Sequence, residues 1–190
     1  MGIKLSNIFT LTLTLFAIID VLGSLPVILD IKHKVGNIHP LKITLISGGI
    51  MLSFMFVGNN ILKLMAVDIQ SFSLAGALII FFLGLEMVLN REFFKSNDKS
   101  SGSGNVVPIA FPILAGAGTL TTLLSLKAAY NDFEIVIAIF INLIFIYVVL
   151  NMLDFISKML GASGVAVLRK VFGVILLALA IKLFKSNILI

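Results

Sequence analysis

Asp20-Val21-Leu22-Gly23-Ser24-Leu25-Pro26 places a carboxylate, a glycine and a proline inside a run, Leu5 to Leu29, that carries no other charge. Those 25 residues suffice to cross a hydrocarbon core of about 30 Å at about 1.5 Å per helical residue. Asp20 therefore falls at membrane depth. Gly23 is conformationally permissive, Pro26 cannot donate to the Leu22 carbonyl, and Leu25 before it is biased away from helix, so the segment is expected to break here. Backbone freed at that depth is tolerated only where protein or a water-filled cavity surrounds it. The break and the acid together mark an interior site.

Composition points the same way. Of 190 residues, 59% are hydrophobic and 12% charged, against about 25% charged in soluble domains, and the mean hydropathy is +1.17. The chain reads as a multi-pass protein of the cell (plasma or inner) membrane, with the lipid bilayer as its surroundings and one transmembrane domain over residues 1–190. Its net charge of +5 is scattered between apolar runs, without a basic stripe or an RNA-type motif, so nucleic acid is excluded as a partner. No cysteine is present, which removes disulfides, thiolate metal sites and cysteine nucleophiles. Lys4 ahead of an apolar run resembles a signal peptide, but no small-residue cleavage site follows and the run reads as a retained first helix.

Uncharged runs from Ile43 to Leu62, Ile69 to Leu85, Val106 to Leu126, Ile135 to Leu153 and Val171 to Ile181 supply five further crossings. The last has only 11 uncharged residues, so Arg169, Lys170, Lys182 and Lys185 are expected to snorkel. Residues 91–105, with Lys95, Lys99 and Ser100-Ser101-Gly102-Ser103-Gly104, form a flexible linker between repeat one (1–90) and repeat two (106–190). Pro108, Pro112 and Gly116-Ala117-Gly118-Thr119 predict a second broken helix. A slide of 97 residues lays Ala75-Gly76-Ala77 over Phe172-Gly173-Val174, and one of 96 lays Asp20 over Gly116. With three crossings per half, the second copy enters from the opposite side. The expected fold is all-α: six transmembrane helices as two inverted three-helix repeats, with broken first and fourth segments. Lys32, Lys34, Lys42, Arg91, Lys95, Lys99, Lys158, Arg169 and Lys170 all follow odd-numbered spans, which places those loops in the cytoplasm and both termini outside it.

In such a repeat the two breaks meet near the midplane, each offering a half-helix N-terminus whose N–H groups and positive dipole end suit a carboxylate or other anion. Gly23, Gly116 and Gly118 would let a ligand approach the backbone, and Ser24, Thr119, Thr121 and Thr122 offer hydroxyls. The alternative is that these small residues only permit close helix packing and that the hydroxyls bond their own backbone. Asp20 has two readings as well. It is a proton carrier or part of a sodium site, and so the coupling residue, or it is a structural acid satisfied by N–H groups of the half-helix that follows. Glu86 is expected to pair with Arg91 at the interface, His33 and His39 to be solvated loop residues matching no metal motif, and Asn142 to bond between helices. No cofactor is implied beyond a coupling proton or sodium ion. No nucleophile with a base and no paired catalytic acids can be assembled, which argues against an enzyme.

Phe16-Ala17-Ile18-Ile19-Asp20-Val21-Leu22-Gly23-Ser24-Leu25-Pro26, Ser71-Phe72-Ser73-Leu74-Ala75-Gly76, Val107-Pro108-Ile109-Ala110-Phe111-Pro112-Ile113-Leu114-Ala115-Gly116-Ala117-Gly118-Thr119 and Lys170-Val171-Phe172-Gly173 resemble the MarC family over nearly the whole chain. The sequence departs from that family's usual pattern at Val21 and Ala117, where prolines are usual, and at Ser24, where asparagine is usual. The resemblance implies six spans and transport of small neutral amino acids such as glycine or alanine. The zwitterion's carboxylate would face half-helix N–H groups and its ammonium Asp20 or freed carbonyls. A passive channel or a non-transporting membrane scaffold is the rival reading, and assembly as a homo-oligomer stays open.

Overall fold

A computed structural model describes residues 4–90 and 108–188, so the expected linker, with Arg91, Lys95 and Lys99, lies outside the described residues. The described chain is all-helical, with no strand. Its elements are Leu5–Ile19 (α1), Leu25–Val35 (α2), Pro40–Leu64 (α3), Ile69–Leu89 (α4), the irregular turn Ile109–Leu114 (α5), Ala117–Ala129 (α6), Asp132–Asn151 (α7) and Leu153–Ile188 (α8). Four stretches are long and apolar enough to cross a membrane: α3, α4, α7 and Ser163–Lys185 within α8, while α1 is a shorter apolar helix.

The helix starts follow local chemistry. Pro40 opens α3, where its missing N–H costs nothing. Asp68 caps α4 by accepting from the Ser71 N–H at 2.6 Å and the Ser71 hydroxyl at 2.7 Å, and Asn131 caps α7 by accepting from the Phe133 N–H at 3.1 Å. His33 belongs to α2, not to a loop as expected, and His39 stands at the N-cap of α3. The stretch expected as the sixth crossing lies in an apolar helix segment of 23 residues, Ser163–Lys185, longer than the 11 of its uncharged core. Arg169 lies inside it, tied to Asp30 at 2.9 Å, so that charge is neutralised within the helix and does not mark its end. Gly161, at φ 64 and ψ 174, bends α8 ahead of this stretch; the left-handed φ favours glycine.

Packing fixes relative directions. α1 runs parallel to α7: the Lys4 N–H donates to Glu134 Oε1 at 2.8 Å, Asn7 Nδ2 to Glu134 Oε2 at 3.0 Å and Asn142 Nδ2 to the Thr12 carbonyl at 3.2 Å. Further along, the Phe16 and Phe145 rings meet edge to face, 4.9 Å apart. α4 and α8 run antiparallel and make the most extensive pairing. A side-chain carbon added at Gly84 would stand 2.9 Å from the Gly173 carbonyl oxygen, and one added at Gly173 would stand 2.8 Å from Val88 and 2.9 Å from Met87. Leu11, Leu15, Met51, Met55, Leu123 and Ile139 belong to the buried core, whereas Phe9, Leu45, Ile144 and Val167 point outward, as lipid-facing residues do.

α2 and α6 begin 92 residues apart, at Leu25 and Ala117; α3 and α7 do so too, at Pro40 and Asp132; and Ile69, which opens α4, precedes the Gly161 bend by the same 92. The expected offset of 96 to 97 is therefore too long by about one helical turn. Gly76 and Gly173, which suggested it, serve different contacts: Gly76 packs against Ala117, Gly173 against α4.

Candidate functional site

The first break spans Asp20 to Ser24. Asp20 ends α1 in the left-handed conformation (φ 44, ψ 53), with its own N–H still donating to the Phe16 carbonyl. Its Oδ1 accepts from the Gly23 N–H at 3.0 Å, and its carbonyl accepts from the Ser24 N–H at 2.9 Å. The Leu25 N–H reaches the Leu22 carbonyl, that of Ile28 reaches the Ser24 carbonyl, and Pro26 has none to offer. The opening turn of α2 is thus nearly satisfied from within. A methyl group at position 23 would collide with the Asp20 carboxylate, so glycine is needed there to seat that side chain. The enclosed setting expected for Asp20 is not seen: the carboxylate folds back over its own turn and is exposed, while Ser24 beside it is buried. Among the described residues no ion pair reaches Asp20.

The second break lies earlier than expected. Phe111 is extended (φ −137, ψ 131), the Phe111–Pro112 peptide bond is cis, and Gly116 is extended (φ −73, ψ 172) as the residue before α6. The interruption therefore runs from Phe111 to Gly116, and Ala117 to Thr119, expected to be non-helical, form the first turn of α6. Pro112 makes the break, because it lacks an N–H and drives the residue before it to extended backbone. Gly118 is tolerated within a helical turn. The hydroxyls serve local backbone: Thr119 Oγ1 donates to the Leu114 carbonyl at 3.2 Å and Thr121 Oγ1 to the Gly118 carbonyl at 3.1 Å, while Thr122 is half-buried one turn on.

What the second break offers is donors. Gly116 has no side chain to cap α6, and among the described residues the N–H groups of Gly116, Ala117, Gly118 and Thr119 find no acceptor. Ala117 and Thr119 are 3% and 2% exposed. Gly116, Ala117 and Thr119 are buried and Gly118 is partly so, and buried backbone N–H groups are almost always paired, so this helix start has the chemistry that suits an anionic group. A carbon added at Gly118 would meet nothing within 4 Å, so open space lies beside these donors, whereas one added at Gly116 would strike the Pro112 carbonyl. α6 packs against α1, α3 and α4, which puts its first turn inside the bundle.

Three features of the bundle escaped sequence reasoning: the buried acid Glu134, 2% exposed, that ties α1 to α7; the Asp30–Arg169 pair; and the Gly161 bend. Only the last had a signal, the small-residue run Gly161-Ala162-Ser163-Gly164. Asn142, 3% exposed, makes the interhelical bond expected of it. The pairing expected between Glu86 and Arg91 lies outside the described residues. Among the described residues no group of three His, Cys, Asp or Glu side chains could hold a metal ion.

Residues 5–189 match the MarC family of integral membrane proteins. A membrane protein of the UPF0056 group from Buchnera aphidicola subsp. Acyrthosiphon pisum is 30% identical over 190 residues, covering 97% of each chain. The UPF0056 inner membrane protein YhgN of Escherichia coli K12 is 28% identical over 191 residues, again with 97% of each chain covered. A UPF0056 membrane protein from Methanocaldococcus jannaschii is 25% identical over 189 residues, with 92% of each covered. These relatives' names specify no substrate and no reaction. No solved structure matches the chain.

Proposed function

Because the chain belongs to the MarC family of integral membrane proteins, we propose that it is a secondary transporter of small neutral amino acids, glycine- or alanine-like, binding substrate beside its broken helices. The observation that carries this reading is the set of buried, unclaimed N–H groups at the start of α6 with open space next to Gly118. A carboxylate is a small ligand group that such donors hold well, and glycine at 118 leaves open space beside them. Asp20, exposed and free of ion pairs among the described residues, is the group on which a proton or sodium ion would act.

The architecture proposed with it is six spans in two inverted repeats. In its support, two pairs of element starts, and the start of α4 with the Gly161 bend, share one spacing of 92 residues, α1 runs parallel to α7, and α4 runs antiparallel to α8. Exchanging the halves maps the contact of α1 with α7 onto that of α5 with α3, and the contact of α2 with α8 onto that of α6 with α4. The basic end of α2, the loop that carries Arg91, Lys95 and Lys99, and the start of α8 would face the cytoplasm, with both termini outside. One observation favours the rival reading of a pore or scaffold: Asp20 caps its own turn, as a structural acid would.

Flux of labelled glycine and alanine into proteoliposomes under imposed proton or sodium gradients decides among them. Accumulation above equilibrium is expected. Flux that only equilibrates would leave the pore, and no flux the scaffold.

A further inference from the structure

α2 is an 11-residue rod between two joints, the Asp20–Ser24 turn and Gly36 at φ 87. Two ion pairs hold it to α8. Lys32 bonds Asp154, and Arg169 Nη1 meets Asp30 Oδ1 at 2.9 Å. They stand on either side of Gly161, so α2 staples together the two limbs of α8 across the one residue there with a left-handed φ. The Asp30 and Arg169 side chains are 14% and 18% exposed, the Lys32 side chain 17%, and that of Asp154 75%. The inner pair is thus shielded from solvent and the outer one is half open. Among the described residues Arg169 Nε is buried without an acceptor, so the closed arrangement does not use the guanidinium fully, and releasing it forfeits less than a saturated pair would.

We propose that Asp30–Arg169 and Lys32–Asp154 form a gate at the face bearing Lys32 and Lys158, and that parting them lets α2 swing about the Asp20–Ser24 turn and open the bundle to that face. The gate rests on the transport reading above, in which one face must close while the other opens. A switch of this kind needs a joint, a bistable contact and a moving element, and here they are the Asp20–Ser24 turn, the paired charges and α2. The opposite end of the first segment is fastened differently, by Lys4 and Asn7 on Glu134 of α7, so the two ends of the segment can part independently.

The chain has no cysteine of its own, so a single Val27→Cys reporter on α2, at a position 4% exposed, reads the gate directly. An impermeant maleimide is applied to sealed right-side-out and inside-out vesicles. Arg169→Gln should speed labelling about tenfold from the face bearing Lys32 and leave the other face unchanged, since the open population grows. The exchange Asp30→Arg with Arg169→Asp should restore the slow rate. Asp154→Asn, at the exposed pair, should act in the same direction and carries the test if Arg169→Gln does not fold. An unchanged rate in the single variants, equal acceleration from both faces, or an exchange that stays fast would overturn the gate. Labelling needs no substrate, so absent amino-acid flux with the gate response intact would count against the transport reading alone.

Discussion

The two breaks interrupt their segments by opposite means. At Asp20–Ser24 the chain supplies its own acceptors: the Asp20 carboxylate and the Asp20 and Leu22 carbonyls take the N–H groups of Gly23, Ser24 and Leu25, and the proline sits where no N–H is wanted. At Phe111–Gly116 a proline and a glycine remove side-chain acceptors altogether, and the N–H groups from Gly116 to Thr119 are left without partners among the described residues. On the transport reading proposed above, the self-satisfied turn is the joint and the unsatisfied helix start the binding surface, a division of labour between the two interruptions.

The sharpest way to break this comparison is to fill the space at the second break. Gly118→Leu should reduce uptake at least a hundredfold, because the side chain would occupy the room beside the free N–H groups, where an added Cβ meets nothing within 4 Å. Gly118→Ala should raise thermal stability by up to about 1 kcal/mol, the helix-propensity gain. Uptake and melting temperature measured on the same preparation check both. Wild-type uptake in the leucine variant would remove the α6 start from the site.

At the first break, Asp20→Asn keeps an oxygen that can accept from the Gly23 N–H but cannot carry a proton. Uptake is expected to lose about tenfold of its gradient stimulation with stability nearly unchanged, whereas Asp20→Ala, which also deletes the acceptor, should cost about 1 kcal/mol as lost caps do. Gradient-driven and counterflow uptake compared in the two variants separate coupling from structure.

A third pair of substitutions tests the glycines. Gly116→Ala pushes a methyl against the Pro112 carbonyl, which is backbone and cannot turn away, and should destabilise by about 1–3 kcal/mol. Gly23→Ala meets only the Asp20 carboxylate, which can rotate aside, and should cost less than half as much. Equal losses in a detergent melt would mean that the two turns are equally rigid.

The smallest expected effect concerns pH and again divides the halves. Asp68, which caps α4, has its pKa held below the ordinary carboxylate value by the Ser71 N–H and hydroxyl. Its stabilising contribution is therefore complete above the unfolded-state pKa and lost as pH falls through the depressed folded-state value. α7, in the other half, is capped instead by Asn131, which does not titrate. Hydrogen exchange on acidification should show the start of α4 fraying before that of α7.

Sequence alone located both breaks because proline and glycine act through the backbone of their own neighbourhood. It misplaced the second by a few residues, since Gly116-Ala117-Gly118 looks permissive while the decisive constraint is Pro112 on Phe111. It cut the apolar stretch Ser163–Lys185 short after Arg169 and Lys170 because a run of uncharged residues cannot reveal an acid 139 positions from Arg169, at Asp30, that neutralises the guanidinium. The donors at α6 were legible as a free helix start, but that Asp20 would spend its oxygen on Gly23 was not: the choice between local cap and buried acid depends on a left-handed backbone that the residue names leave open.

The glycine contact of α4 with α8 bears also on how the chain is made. Gly84 needs the Gly173 backbone against it, and that partner is synthesised on the order of ten seconds later at about 5–20 residues per second. Until then α4 must wait in the bilayer with its seam filled by lipid. Its 21 residues hold the span alone, and α8, arriving later, displaces lipid from a groove cut in advance to fit it.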